Sequence, residues 1–455
     1  MAVAAGNDHT LIVGEDGSLF ACGYNSFGQL GTGDTASRFA PTRVVRLPAP
    51  VRQVATSLLH TGIVTEAGDL LMCGRGRFGR LGLDDEDNRT TPTLVARAVF
   101  DGEAVLMVAC GLAHTAAVTE GGSIYTFGLG DYGQLGHGNL QDKLAPRRIP
   151  AAAFRPNGSA EWPGERVVMV AAGDSQTVAL SEAGHVFTWG YGMLGQLGHG
   201  DRQNQLAPRQ VEARRFGGEK VVFVAAGSFQ TVAVTAGGRL YTWGSGLRGQ
   251  LGHGDTGDRL VPTLVRAGAF GAPEGGRVVM AACGGAHTLV VTHDGALWAC
   301  GFGVNGKLGL NDTEDRHVFE RVGAEAFGGA RVVAAAAGDN HSAAVTEDGA
   351  LWTWGCGHGG RLGHGDEENR LVPMRATLAP FDTMRVGRFH LTEEHIRAFY
   401  MSQHRRLGAN SVASNLKPEL LDMIVRMSTT KLSNDAISRL LGFTQRAVRA
   451  CKYCS

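Results

Sequence analysis

The stretch "GSGLRGQLGHGD", residues 244–255, has close copies throughout the chain, and that repetition limits the fold more than any single motif. Two anchors measure it. Residues preceding a Thr or Ser fall at His9, His60, His114, Gln176, Gln230, His287 and His341. Leucines of the glycine-rich stretch fall at Leu30, Leu81, Leu135, Leu197, Leu251, Leu308 and Leu362. The second anchor follows the first by 21 residues every time, while successive repeats start 51, 54, 62, 54, 57 and 54 residues apart. A fixed interior with variable linkers marks a stacked structural unit. A chain of 455 residues exceeds what one core can serve, so repeats also answer the size problem.

Eight residues after each first anchor stands a glycine (Gly17, Gly68, Gly122, Gly184, Gly238, Gly295, Gly349), as a tight hairpin with positive φ requires. The unit therefore reads as three strands, "VVFVAAG", "TVAVT" and "RLYTWG", then the glycine loop and a short segment ending in P-x-x-V. The continuous apolar first run fits a buried inner strand; the alternating later runs fit strands with two unlike faces.

"AAGSFQTVAVTAGGRLYTWGSGLRGQLGHGD", residues 225–255, resembles the regulator of chromosome condensation repeat. The resemblance implies an all-β, seven-bladed propeller over residues 1–391; residues 392–455, poor in glycine and rich in basic residues, read from their periodicity as a basic helical tail. In such a ring the glycines allow sharp turns and close blade contact, and seven copies between strands do not fit a phosphate loop, which needs one copy before a helix. Ring closure needs complementary termini. The strand that precedes each anchor is cut short before His9, while "MRVGRFHL", residues 384–391, continues the repeat spacing. The expectation is that 384–391 pairs into the closing blade, in competition with residues 2–6.

Most chemistry-bearing residues follow the repeat. Interchange of His with Gln at the first anchor points to backbone hydrogen bonding, because Gln is a poor ligand for transition metals. His137, His199, His253 and His364 lie in LGHG turns beside Asp or Asn, with Asp34, Asp201, Asp255 and Asp366 as turn acceptors. Cys22, Cys73 and Cys300 align with Phe127, Trp189, Trp243 and Trp354, and Cys110 and Cys283 align with alanines, so these thiols read as reduced core fillers. Cys451 and Cys454 lack a second pair for zinc. With no catalytic constellation apart from the repeat, neither an enzyme nor a cofactor or metal site is expected.

Function is then expected on a surface, where repeats differ. The variable loop positions before each first anchor bring forward Asp8, Leu59, Asp174, Phe229, Asp339 and Asn340 as an acidic face with apolar anchors. In the resembled family, acidic and histidine residues on such loops drive nucleotide exchange on a small GTPase, which implies Asp8, Asp174, His287 and Asp339 here. That activity also uses a wedge hairpin, and the one long linker, "RPNGSAEWPGER" at 155–166, reads as an irregular loop rich in Pro and Gly.

The net charge of zero hides an asymmetry, since residues 385–455 hold 12 Lys+Arg against 5 Asp+Glu. The tail has helical periodicity. Leu416, Pro418, Leu420, Leu421 and Ile424 resemble the opening of an F-box, which would make the ring a ubiquitin-ligase substrate receptor. Arg446 and Arg449 lie in a stretch resembling a helix-turn-helix that could meet nucleic acid or chromatin phosphates. No leader pattern or membrane-length apolar run occurs, so a cytoplasmic or nuclear monomer is expected. The expected function is a protein-binding scaffold, with GTPase exchange and ubiquitin-ligase substrate reception as alternatives.

Overall fold

Each repeat forms one four-stranded antiparallel sheet. The computed structural model describes residues 1–156, 164–266, 268–271 and 276–377. In the first blade β1 (Ala2–Ala5), β2 (His9–Val13), β3 (Leu19–Gly23) and β4 (Arg38–Arg43) pair in chain order. Later blades keep that order, the fifth through Val221–Ala226, Gln230–Thr235, Leu240–Gly244 and Arg259–Leu264. First strands of neighbouring blades touch all round the axis, and β1 closes the circle against Val332–Ala337 of the seventh. The fold is a seven-bladed, all-β propeller.

Local chemistry explains each blade. The hairpin between second and third strands turns on a glycine with positive φ, such as Gly238 at 79°, where a Cβ would also stand 2.9 Å from Arg277 Cβ. The anchor leucines, Leu30 through Leu362, are all buried and pin the glycine loop to the blade. Single 3-10 turns such as Ala151–Phe154 and Ala213–Phe216 seat a buried phenylalanine edge-on against the blade's aromatics. Phe216 lies 5.4 Å from Tyr241 and 6.1 Å from Trp243 between ring centres.

One expectation is reversed. The second strand, not the first, is buried along its whole length: Gln230–Thr235 is closed to solvent throughout, whereas Val221–Ala226 buries fully only Val221 and Val224. The first strand is the edge nearest the axis and faces the channel. The second has a strand on each side.

At the seam, β1 fills the innermost position of the first blade, with Ala2 opposite Val13 and Ala5 opposite Thr10. Residues 384–391, expected to compete for that position, lie outside the described residues. So do the tail at 392–455, with Leu416, Pro418, Leu420, Leu421, Ile424, Arg446 and Arg449, and residues 157–163 of the long linker. Among the described residues no helix is long and apolar enough to cross a membrane.

Candidate functional site

The seven first anchors form a belt around the channel. His9, His60, His114, His287 and His341 each place Nε2 2.8–3.1 Å from the hydroxyl of Thr61, Thr115, Thr177, Ser342 or Thr10 in the next blade. Gln176 donates to Thr231 Oγ1 at 3.2 Å, and Gln230 reaches the Gly284 and His287 carbonyls instead. Each hydroxyl donates in turn to the backbone carbonyl just before an anchor leucine, as Thr61 does to Gln29 at 2.7 Å and Thr10 to Arg361 at 2.7 Å. Burial pushes the imidazole pKa values far down, to about 3 for His9 and about 4 for His114, with Arg361 and Arg80 adding repulsion. These rings are neutral cross-ties between blades.

The same carbonyls explain the exchange of Cys for Trp. Cys22 Sγ donates to the Arg361 carbonyl at 3.6 Å, and Trp189 Nε1 donates to the Gln134 carbonyl at 2.9 Å. Burial raises the Cys22 and Cys73 thiols to about 12, so they stay protonated. The LGHG histidines are turn supports: His199 Nε2 meets Thr188 Oγ1 at 2.9 Å, and Asp201 Oδ1 accepts from Gln203 N at 3.1 Å. Among the described residues no group of three His, Cys, Asp or Glu is placed to hold a metal.

Above the belt the channel opens into a cavity of about 170 Å³. Its wall takes Gly6, Gly111, Gly173, Gly227, Gly284 and Gly338 from six blades and Ser57 from the second, with Asn7, Leu112, Asp174, Ser228 and Asp339 at the rim. Asp8, Asp174 and Asp339 thus gather at one end of the axis, but their partners differ. Asp8 pairs with Arg361 at 2.8 Å, whereas Asp174 has a hydrogen bond from Ser228 and Asp339 one from Asn7. Burial, then repulsion from Asp174 and Asp8, raises Asp339 to about 7, against the pull of Lys307 and Asn7. Burial also raises Asp174.

Three cations at the rim escaped the sequence reading. Arg80, Lys307 and Arg361 occupy the position that is Gln in the other four glycine loops, a departure legible as "GRLG" or "GKLG". Gln134 there accepts from Tyr132 N at 2.9 Å and keeps its loop to itself. Arg361 instead reaches the next blade, donating to the Asn7 carbonyl at 3.1 Å, and Arg80 donates to Leu112 O at 3.0 Å. Lys307 Nζ donates to the Asp339 carbonyl at 3.0 Å and Asn340 Oδ1 at 3.4 Å, and burial lowers it to about 8.

Of the remaining expected site residues, Phe229 is exposed and Leu59 and Asn340 are half-buried on the same loop face. His287 is a correction: it is wholly buried in the belt, because its ring is needed to tie Ser342. Phe229 extends into an apolar arc over blades three to five that individual loops did not reveal. Tyr132, Met193, Phe229 and Leu247 are 40, 48, 37 and 70 % exposed, and Tyr191 links Tyr132 to Phe229 at ring distances of 5.1 and 6.3 Å.

Residues 155–393 match the RCC1-like domain, and residues 2–29, 16–64, 67–118 and 121–180 match the regulator of chromosome condensation (RCC1) repeat. The ultraviolet-B receptor UVR8 of Arabidopsis thaliana is 35 % identical over 319 residues, 70 % of this chain and 68 % of the receptor. The human E3 ubiquitin-protein ligase HERC2 is 36 % identical over 292 residues, which are 64 % of this chain but only 6 % of the ligase. The crystal structure of Prp20p from Saccharomyces cerevisiae, described with its binding to Gsp1p and histones, has the same fold. Its TM-score is 0.68 at 22 % identity, covering 88 % of this chain and 96 % of that one.

Proposed function

The chain belongs to the regulator of chromosome condensation repeat family, and from that premise we propose a non-enzymatic scaffold that binds a protein partner on its loop face. One observation carries this reading: four exposed apolar side chains lie over blades three to five, with Phe229 next to Ser228 at the rim of a channel mouth whose Asp174 and Asp339 have no ion pair among the described residues. Apolar anchors inside a polar rim are what protein interfaces use. The site of action proposed is the cytoplasm or nucleus. Partners captured by the full chain should be lost on Phe229→Ser with Leu247→Ser. They should be retained on Glu66→Ala, next to the hairpin turn at the opposite end of the strands. Equal loss in both variants, or in neither, removes the loop face as the docking surface.

Two finer readings share this surface. Guanine nucleotide exchange is favoured by the meeting of Asp8, Asp174 and Asp339 at one mouth, and by likeness to a fold reported with Gsp1p binding. Catalysed nucleotide release across a panel of small GTPases would establish it in place of a passive scaffold. Ubiquitin-ligase substrate reception is favoured by the similarity to HERC2. Loss of a co-purifying ligase adaptor on Leu420→Asp is its test.

A further inference from the structure

The belt fixes its own tautomers. Thr177 Oγ already donates its hydrogen to the Gln134 carbonyl, so it can only accept from His114, whose Nε2 therefore carries the proton. The same logic holds for His60, whose Nδ1 accepts from Ser57 Oγ at 2.9 Å. Among the described residues, Nδ1 of His9, His114, His287 and His341, and Oε1 of Gln176 and Gln230, are left as buried acceptors without a donor. They stand directly behind the cavity wall: a Cβ on Gly284 or Gly338 would fall 2.6 or 2.8 Å from Nδ1 of His287 or His341. Those acceptors are closed off behind the wall, and at the mouth Asp174 and Asp339 have no ion pair among the described residues, because Lys307 turns to carbonyl and amide oxygens and Arg361 is held by Asp8.

Carboxylates with no ion pair among the described residues, lining one small cavity walled by glycine backbone, call for a donor-rich cation. A metal ion fits poorly, because among the described residues the carboxylates at the mouth are not placed to hold one ion together. A planar guanidinium with five donors, or an ammonium with three, matches the chemistry. The glycine wall leaves the way in open.

We propose that the channel mouth is a socket for one arginine or lysine side chain of the protein partner, clamped between Asp174 of the fourth blade and Asp339 of the seventh. This rests on the loop-face reading and specifies what that face selects. The raised carboxyl of Asp339 fits it, since an entering cation would relieve the repulsion from Asp174 and Asp8.

The test uses the full chain and immobilised peptide libraries with Arg, Lys, citrulline or Gln fixed at the centre of randomised flanks. Arg and Lys libraries should bind at least about 10-fold better than their citrulline and Gln counterparts. The preference should vanish in Asp174→Asn with Asp339→Asn, which keep shape and polarity; an unchanged melting temperature or a higher one shows that the variant is folded. Equal binding of Arg and citrulline libraries, or a preference that survives the double substitution, overturns the socket. Phe229→Ser with Leu247→Ser should weaken all libraries alike. If it leaves all of them unchanged while the cation preference stands, the apolar docking face fails and the socket survives.

Discussion

The belt and the rim of the channel lie a few residues apart in every repeat and obey opposite rules. In the belt, His9, Gln176 and His341 make equivalent cross-ties although their sequence neighbours differ. At the rim, Asp8, Asp174 and Asp339 share a residue type and differ in partner. The belt is constrained because each side chain completes a bond to the next blade. The rim needs only to keep its loops anchored, which leaves its side chains free to face a partner.

Intrusion into the belt should do the most damage. Gly111→Val would place a Cβ about 2.6 Å from the Gly173 carbonyl and against the His114 ring. It should cost more than about 3 kcal/mol in chemical denaturation. Thr177→Val should cost about 1–3 kcal/mol, since it strands the His114 Nε2–H, while the Gln134 carbonyl keeps its bond from Trp189 Nε1.

Acid should weaken the belt next. Belt imidazoles stay neutral in the fold below their ordinary value of 6.5, while the unfolded chain takes up protons, so stability falls as pH drops below 6.5. Each such ring should contribute at most about 1.4 kcal/mol per pH unit. His114→Gln should flatten the melting-temperature profile between pH 7 and 5. An unchanged slope would mean that the belt is not what acid attacks.

The rim should respond with the opposite sign. Asp339 holds its proton longer in the fold than in the unfolded chain, so ionising it lowers stability as pH rises from the ordinary carboxylate range to about 7. Asp339→Asn should raise the melting temperature by about 2–4 °C at pH 8 and leave it unchanged near pH 4. Phe229→Ser should have the smallest effect, within about 0.5 kcal/mol, because the ring is already exposed. A large loss there would make Phe229 part of the fold and not of a docking face.

Much of this contrast can be read in the chain. The equal treatment of His and Gln already marks the first anchor as structural, and the alignment of Cys22 with Trp189 already marks a core position. His287 shows the limit: its place in a functional motif of the resembled family pointed to the surface, and its ring lies wholly in the belt. The exposed arc from Tyr132 to Leu247 was missed because its members come from four separate loops of three blades.

The amino-acid sequence alone determined the number of blades, the hairpin glycines, the buried leucines and the anchor belt, because each depends on spacing within one repeat. Only the tertiary structure decided which strand fills the innermost position beside β2, and which carboxylates at the mouth are neutralised. Arg361 meets Asp8 solely because the ring brings the seventh blade beside the first, and Asp174 faces Asp339 across an axis that no local pattern encodes. Periodicity records what each repeat needs for itself; closure brings together residues from opposite ends of the chain and sets which charges stay unpaired.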